Sequence, residues 1–164
     1  MFRSREGVRS LKESPQPLDP QVRQSLSLWV VMHRTLATLT RRAESDIRER
    51  GFSLTEWGVL EYLYHKGRQP LANISRKVLI TTGSVTYVID NLERRGLVER
   101  QRCEYDRRII YAVLTEQGRA IMQAEFPRHA EAVHDMMKPL TSTEKETVKA
   151  LLKKRGLENA GTDA

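Results

Sequence analysis

Cysteine is nearly absent from this chain: Cys103 stands alone among 164 residues. A single thiol excludes an internal disulfide framework and any multi-cysteine zinc or iron–sulfur site, and it suits a reducing compartment. Long apolar stretches are missing as well. Leu28 to Met32 is a run of five, far short of the roughly 20 residues that a membrane-spanning helix requires. The first 20 residues are too polar for a secretory signal. The four histidines, His33, His65, His129 and His134, have no zinc-type spacing, since the last two do not share a helical face. Enzyme signatures such as G-x-S-x-G, G-x-x-x-x-G-K, G-x-G-x-x-G and H-E-x-x-H do not occur. These absences leave the expectation of a soluble cytoplasmic protein that is not an enzyme and uses no metal, cofactor or membrane.

What is present is positive charge, unevenly placed. The chain has 28 Lys and Arg against 21 Asp and Glu. Residues 120–164 hold seven of each sign, so the whole surplus lies in residues 1–119. A basic lobe joined to a neutral one fits a polyanionic partner such as nucleic acid, though an ordinary basic protein has the same balance. The length suits one domain with an adequate core.

Residues 1–18 mix Arg, Ser, Glu, Gln and Pro without periodicity and read as a flexible basic arm. Order is expected from Asp19-Pro20, an N-cap followed by a proline in the first turn. Val22, Leu26, Trp29, His33, Leu36, Ala43 and Ile47 then recur at helical spacing on one face, up to Gly51. Ser53-Leu54-Thr55-Glu56 has capping-box spacing, and Trp57, Leu60 and Leu63 or Tyr64 form the stripe of the helix it starts, which Gly67 stops. A short helix over Ala72 to Val78, a break at Leu79 to Thr81, and a second helix from Thr82 to Arg95 follow. Arg94-Arg95-Gly96 makes a good helix end. Leu97 to Gln101 and Ile109 to Leu114 are β-prone runs around the charged link from Arg102 to Arg108, which predicts a hairpin with a polar tip. Thr115 is placed to cap a long helix to about Met137. Thr141 to Glu144 repeats the capping-box spacing before a last helix bearing Val148, Leu151 and Leu152. Residues 158–164 read as a disordered tail.

Short helix, turn, second helix and charged hairpin, in that order, is the layout of a winged helix-turn-helix. One α-helix fits the DNA major groove, so a sequence-reading protein needs one helix projected outward and another bracing it. In the second helix Val85, Val88 or Ile89, and Leu92 give the inward stripe. Thr82, Gly83, Ser84, Thr86 and Tyr87 bring small or hydrogen-bonding side chains to its first two turns. Amides at a helix start also favour phosphate. An arginine on a slender loop suits a narrow minor groove, and Arg108 is placed for that role. Arg94, Arg95, Arg100 and Arg102 are phosphate contacts or a solvated charged face.

These residues resemble the MarR transcription regulators, over about Pro20 to Leu157. The similarity is sharpest in Val88-Ile89-Asp90-Asn91-Leu92-Glu93-Arg94-Arg95-Gly96-Leu97-Val98, then in Asp106-Arg107-Arg108 and in Leu114-Thr115-Glu116-Gln117-Gly118. The resemblance implies a mainly α fold with a small β-hairpin wing and a triangular homodimer. Its dimerisation helices would be residues 19–50 and 115–157, around a winged-helix lobe at 53–114. It implies a repressor of a palindromic operator in double-stranded DNA, with Thr82, Gly83, Ser84, Thr86 and Tyr87 on the recognition helix and Arg108 as the wing arginine. It further implies release by a small-molecule effector, in a pocket to which Trp29, His33, Trp57 and Tyr64 are assigned. Ile74 to Asp90 is similar to members that respond to quinones and other phenolic electrophiles, so the effector is expected to be aromatic or phenolic. Leu79 stands where the family commonly has a glycine and Tyr87 where an arginine is frequent, so the bases read do not follow from the resemblance. Two alternatives stand beside this reading. One is a winged-helix module for protein contact. The other is a redox-responsive regulator acting through Cys103, whose thiol lies near Arg100 and Arg102.

Overall fold

The computed structural model describes residues 18–78, 82–106 and 108–157. Six helices and three short strands follow one another in the order α1 (Pro20–Glu49), α2 (Leu54–Lys66), β1 (Gln69–Pro70), α3 (Leu71–Val78), α4 (Thr82–Arg94), β2 (Val98–Arg102), β3 (Ile110–Leu114), α5 (Glu116–Met136) and α6 (Ser142–Leu157). The chain separates into two compact units, Met1–Thr38 and Leu39–Ala164. The expected arm at 1–18 lies, but for Leu18, outside the described residues, as does the tail at 158–164.

In the first unit α1 starts where the sequence places it. Asp19 Oδ1 accepts the amide of Gln21 at 2.8 Å, which satisfies one of the free donors of a helix start. The apolar residues of this part of the helix are exposed, among them Val22, Leu26, Trp29 and Leu36.

The second unit holds the core: Ile47 from the end of α1, Trp57, Val59, Leu60 and Leu63 from α2, Ile74 from α3, Val85, Ile89 and Leu92 from α4, Val98 and Ala112 from the strands, and Met122 from α5. The capping box of α2 forms. Ser53 Oγ accepts the Glu56 amide at 3.2 Å, and the Ser53 amide donates back to Glu56 Oε2 at 2.8 Å. Gly67, at φ 69°, ends that helix. α3 begins one residue earlier than expected, α4 ends at Arg94, and the turn at Leu79 to Thr81 lies outside the described residues.

After α4 the chain reverses through Gly96, also at φ 69°. The amides of Gly96 and Leu97 donate to the carbonyls of Glu93 and Leu92 at 2.9 and 3.0 Å, which uses up carbonyls left free at the helix end. The wing is the antiparallel pair β2 and β3, with Val98 opposite Leu114 and Arg102 opposite Ile110. Both strands start one residue later than expected, and β2 also ends one residue later. The sheet has a third strand that the sequence pattern does not announce: β1 pairs antiparallel with β3, Gln69 opposite Ala112, giving the order β1-β3-β2.

Thr115 then starts α5. Its Oγ1 accepts the Gly118 amide at 3.0 Å and donates to the Gly96 carbonyl at 2.7 Å, while its own amide donates to the Leu97 carbonyl at 3.1 Å. One residue thus caps α5 and fastens it to the turn after α4. α6 is capped as expected, with Thr141 and Glu144 exchanging backbone and side-chain bonds.

Candidate nucleic-acid interface

α4 has a buried back and an open front. Val85, Ile89 and Leu92 are in the core, whereas Ser84, Thr86 and Tyr87 are exposed, Tyr87 by 67%. Thr82 and Gly83 open the helix, but their side chains lie outside the described residues. The back is held further by Glu56, a buried carboxylate of α2. It accepts from Asn91 Nδ2 and from Arg95 Nη1, the latter at 3.4 Å. Burial works against the charge on Glu56, yet the bonds from Ser53 and Asn91 and the nearby Arg95 outweigh it and leave the carboxyl below its ordinary value.

At the wing tip the Arg108 side chain is 91% exposed. Its amide and guanidinium both bond to Asp106, at 2.9 to 3.2 Å, which pulls that carboxyl below its ordinary value. The pair is solvated, so a phosphate-lined groove can compete with Asp106 for the guanidinium. Tyr105, beside it, is 96% exposed. Sequence reasoning missed this residue, although an aromatic set within the charged link at 102–108 is a visible signal.

The other arginines divide. Arg94 bonds to Asn91 Oδ1 and the Asp90 carbonyl on its own helix. Arg95 lies over the Phe52 ring at 4.4 Å and donates to the Gly51 carbonyl. Arg102, at the end of β2, is exposed. Arg100 is partly exposed, at 23%, and its guanidinium is paired on the protein itself. It bonds to Glu93, to Asp90 Oδ1 at 2.5 Å and to the Thr86 carbonyl at 3.3 Å.

The residues assigned to an effector pocket are placed as follows. Trp29 and His33 stack on exposed α1, ring centroids 6.3 Å apart. Tyr64 is half-buried against Phe126 and His65. Trp57 is 1% exposed in the core, and its indole N–H donates to Glu61 at 3.0 Å. The cause assigned to Cys103 also changes. Its thiol is below its ordinary value because the amides of Asp106 and Tyr105 point at it, with a further bond from Tyr111, and not because of Arg100 or Arg102. No group of three or more metal-binding side chains occurs among the described residues, and no helix among them is long and apolar enough to cross a membrane.

Known proteins fit this arrangement. The sequence model of the MarR family matches residues 52–110, the span from the turn before α2 to the start of β3. The chain is 39% identical over 133 residues to the HTH-type transcriptional regulator MhqR of Bacillus subtilis, covering 81% of this chain and 92% of that protein. The chain belongs to the MarR family. It is a DNA-binding transcription regulator and not an enzyme. Solved MarR-family folds superpose on it: AbsC of Streptomyces coelicolor, at TM-score 0.80 and 23% identity, covers 90% of this chain and 99% of its own. BpsR of Bordetella bronchiseptica, whose DNA binding is regulated by 6-hydroxynicotinic acid, matches at TM-score 0.71 and 22% identity, over 79% of this chain and 98% of its own. The winged helix-turn-helix expected from the sequence is therefore the fold of this MarR-family chain.

Proposed function

We propose that this regulator is a homodimeric repressor that occupies a palindromic operator and leaves it when a small aromatic or phenolic ligand binds. The observation that carries the reading is the two-sidedness of α4: Ser84, Thr86 and Tyr87 face outward from a helix whose other side is locked in the core. In this reading Thr82, Gly83, Ser84, Thr86 and Tyr87 lie in the major groove and Arg108 enters the adjoining minor groove.

Dimerisation is supported by apolar side chains left open on a single chain. These are Val22, Leu26, Trp29 and Leu36 of α1, and Val148, Leu151 and Leu152 of α6. Two copies of one reading lobe, related by a two-fold axis, match the two halves of a palindrome. Binding there blocks polymerase in the cytoplasm.

Release needs a ligand that binds the DNA-incompetent form more tightly, and each tenfold change in occupancy corresponds to about 1.4 kcal/mol of that difference. The similarity of Ile74 to Asp90 to quinone-responsive members supports an aromatic ligand, as does the regulation of BpsR by 6-hydroxynicotinic acid. The stacked pair Trp29 and His33 offers such a ligand an aromatic surface.

The test is selection of bound duplexes from a random pool, followed by titration of the enriched duplex at several salt concentrations with and without simple phenols and quinones. A palindromic duplex, a steep loss of affinity with salt and release by one of these compounds are expected. Failure to enrich a palindrome overturns the operator reading. Occupancy unchanged by every phenol and quinone overturns the effector reading.

A further inference from the structure

We infer that Arg100 is a positioning residue that fixes the wing against the reading helix and so sets operator specificity. Arg100 lies on β2 and reaches back to three acceptors on α4, spaced along two of its turns. Nη1 bonds to Glu93. Nη2 bonds to Asp90 Oδ1 at 2.5 Å and to the Thr86 carbonyl at 3.3 Å. The Arg100 amide adds a bond to the other Glu93 oxygen at 3.2 Å. A planar guanidinium can span such a set, whereas a lysine ammonium offers one point of charge. The side chain is 23% exposed, and its guanidinium is committed to two carboxylates and a carbonyl, an unfavourable state from which to contact a phosphate.

The position of this joint gives it a role. Thr86 precedes Tyr87 on the outward face of α4, and the wing arginine Arg108 is carried by the same hairpin as Arg100. The back of α4 is held by Ile89, Leu92 and the Glu56–Asn91 bond, and the side that carries Asp90 and Glu93 by Arg100. Base-edge contacts carry the sequence information and depend on the register between reading helix and wing, while phosphate contacts carry none directly. Loosening this joint therefore costs discrimination before it costs general affinity. The inference rests on the reading that α4 and the wing both face the duplex.

The experiment measures dissociation constants of the full chain for the duplex it enriches from a random pool and for a scrambled duplex of equal length, across salt concentrations. The variants are Arg100→Gln, Arg100→Lys and the double variant Asp90→Asn/Glu93→Gln, which keeps the arginine charge. The ratio of the two constants cancels the general electrostatic effect of each change. The expected result is a ratio lowered about tenfold or more by Arg100→Gln and by the double variant, less by Arg100→Lys, with the salt slope of Arg100→Gln unchanged. Two results for the Arg100 and carboxylate variants overturn the inference. One is a slope that falls by about 0.9 for each phosphate no longer neutralised, with both duplexes weakened alike, the mark of a phosphate ligand. The other is a double variant whose ratio is preserved or raised. Tyr87→Ala and Arg108→Ala run alongside: if neither alters binding, the placement of α4 and the wing is at fault, and the inference falls with it. Should Arg100→Gln fail to fold, Arg100→Lys and the double variant decide.

Discussion

His129 Nδ1 lies 2.7 Å from Asp46 Oδ2, which joins the middle of α5 to the last turns of α1. Asp46 also accepts from Arg50 Nη2 at 2.6 Å, and Arg50 Nη1 reaches Glu125 of α5 at 2.6 Å. The His129 ring meets Trp57 edge-on at 4.9 Å. The bond from Arg50, opposed by partial burial and helped by His129, lowers the Asp46 carboxyl below its ordinary 3.8. A carboxylate with a lowered folded-state value contributes stability that is complete above its unfolded value and lost as pH falls through the folded one. Asp46→Asn should therefore cost about 1–3 kcal/mol at neutral pH by stranding its partners. It should also flatten the loss of stability below about pH 4. Denaturant titrations at pH 7 and pH 3 check both, and an unaltered acid limb contradicts the assignment.

Gly118 admits no side chain. A Cβ built there would lie 2.0 Å from the Leu97 carbonyl oxygen, and that carbonyl is held by the Thr115 amide. Gly118→Ala must push the start of α5 away from the turn after α4, at a cost of about 3 kcal/mol. A thermal melt within a degree or two of the parent would refute this.

Arg108→Ala should leave the melting temperature unchanged, because its side chain is almost wholly solvated. Operator affinity should fall, and the slope of log affinity against log salt should drop by about 0.9 for each phosphate the arginine had neutralised. Equal affinity and slope would remove Arg108 from the interface.

Cys103 is half-buried at the root of the wing tip, its thiol lowered by the Asp106 and Tyr105 amides. Alkylation followed against pH should give a midpoint below that of free cysteine. Cys103→Ser should bind the operator as the parent does and respond to ligand unchanged. A variant that no longer releases DNA on oxidation would instead make this thiol a sensor.

Leu36 is 66% exposed on α1, so Leu36→Glu should leave a single chain folded while disrupting self-association. Light scattering is expected to report a dimer for the parent and a smaller species for the variant. A dimer that survives this change would place the interface elsewhere.

The features legible in the sequence are those decided locally. Asp19, Ser53, Thr115 and Thr141 cap helices because a side-chain oxygen two or three residues from a free amide has a nearby partner whatever the tertiary context. Gly96 ends α4 by an equally local cause, the φ of 69° that glycine takes without strain. What depends on packing was hidden. β1 is two residues long and has no periodicity of its own, and its partner β3 lies far along the chain. Trp57 sits on an amphipathic helix whose spacing does not say whether its indole meets a ligand or the core. Arg100 reads as one cation in a charged stretch, since Asp90 and Glu93 meet it only after the Gly96 turn folds β2 back onto α4. The Cys103 thiol follows backbone amides whose direction no residue identity reveals.

The three-stranded sheet has two free borders, and each is closed to newcomers in its own way. On one side β1 offers only two residues, the second of them a proline without an N–H to donate. On the other, β2 presents Glu99, Arg100, Gln101 and Arg102, a row of charge and polarity that discourages a foreign strand. Two copies of this regulator brought side by side thus lack the long, bare strand edge through which their wings could pair.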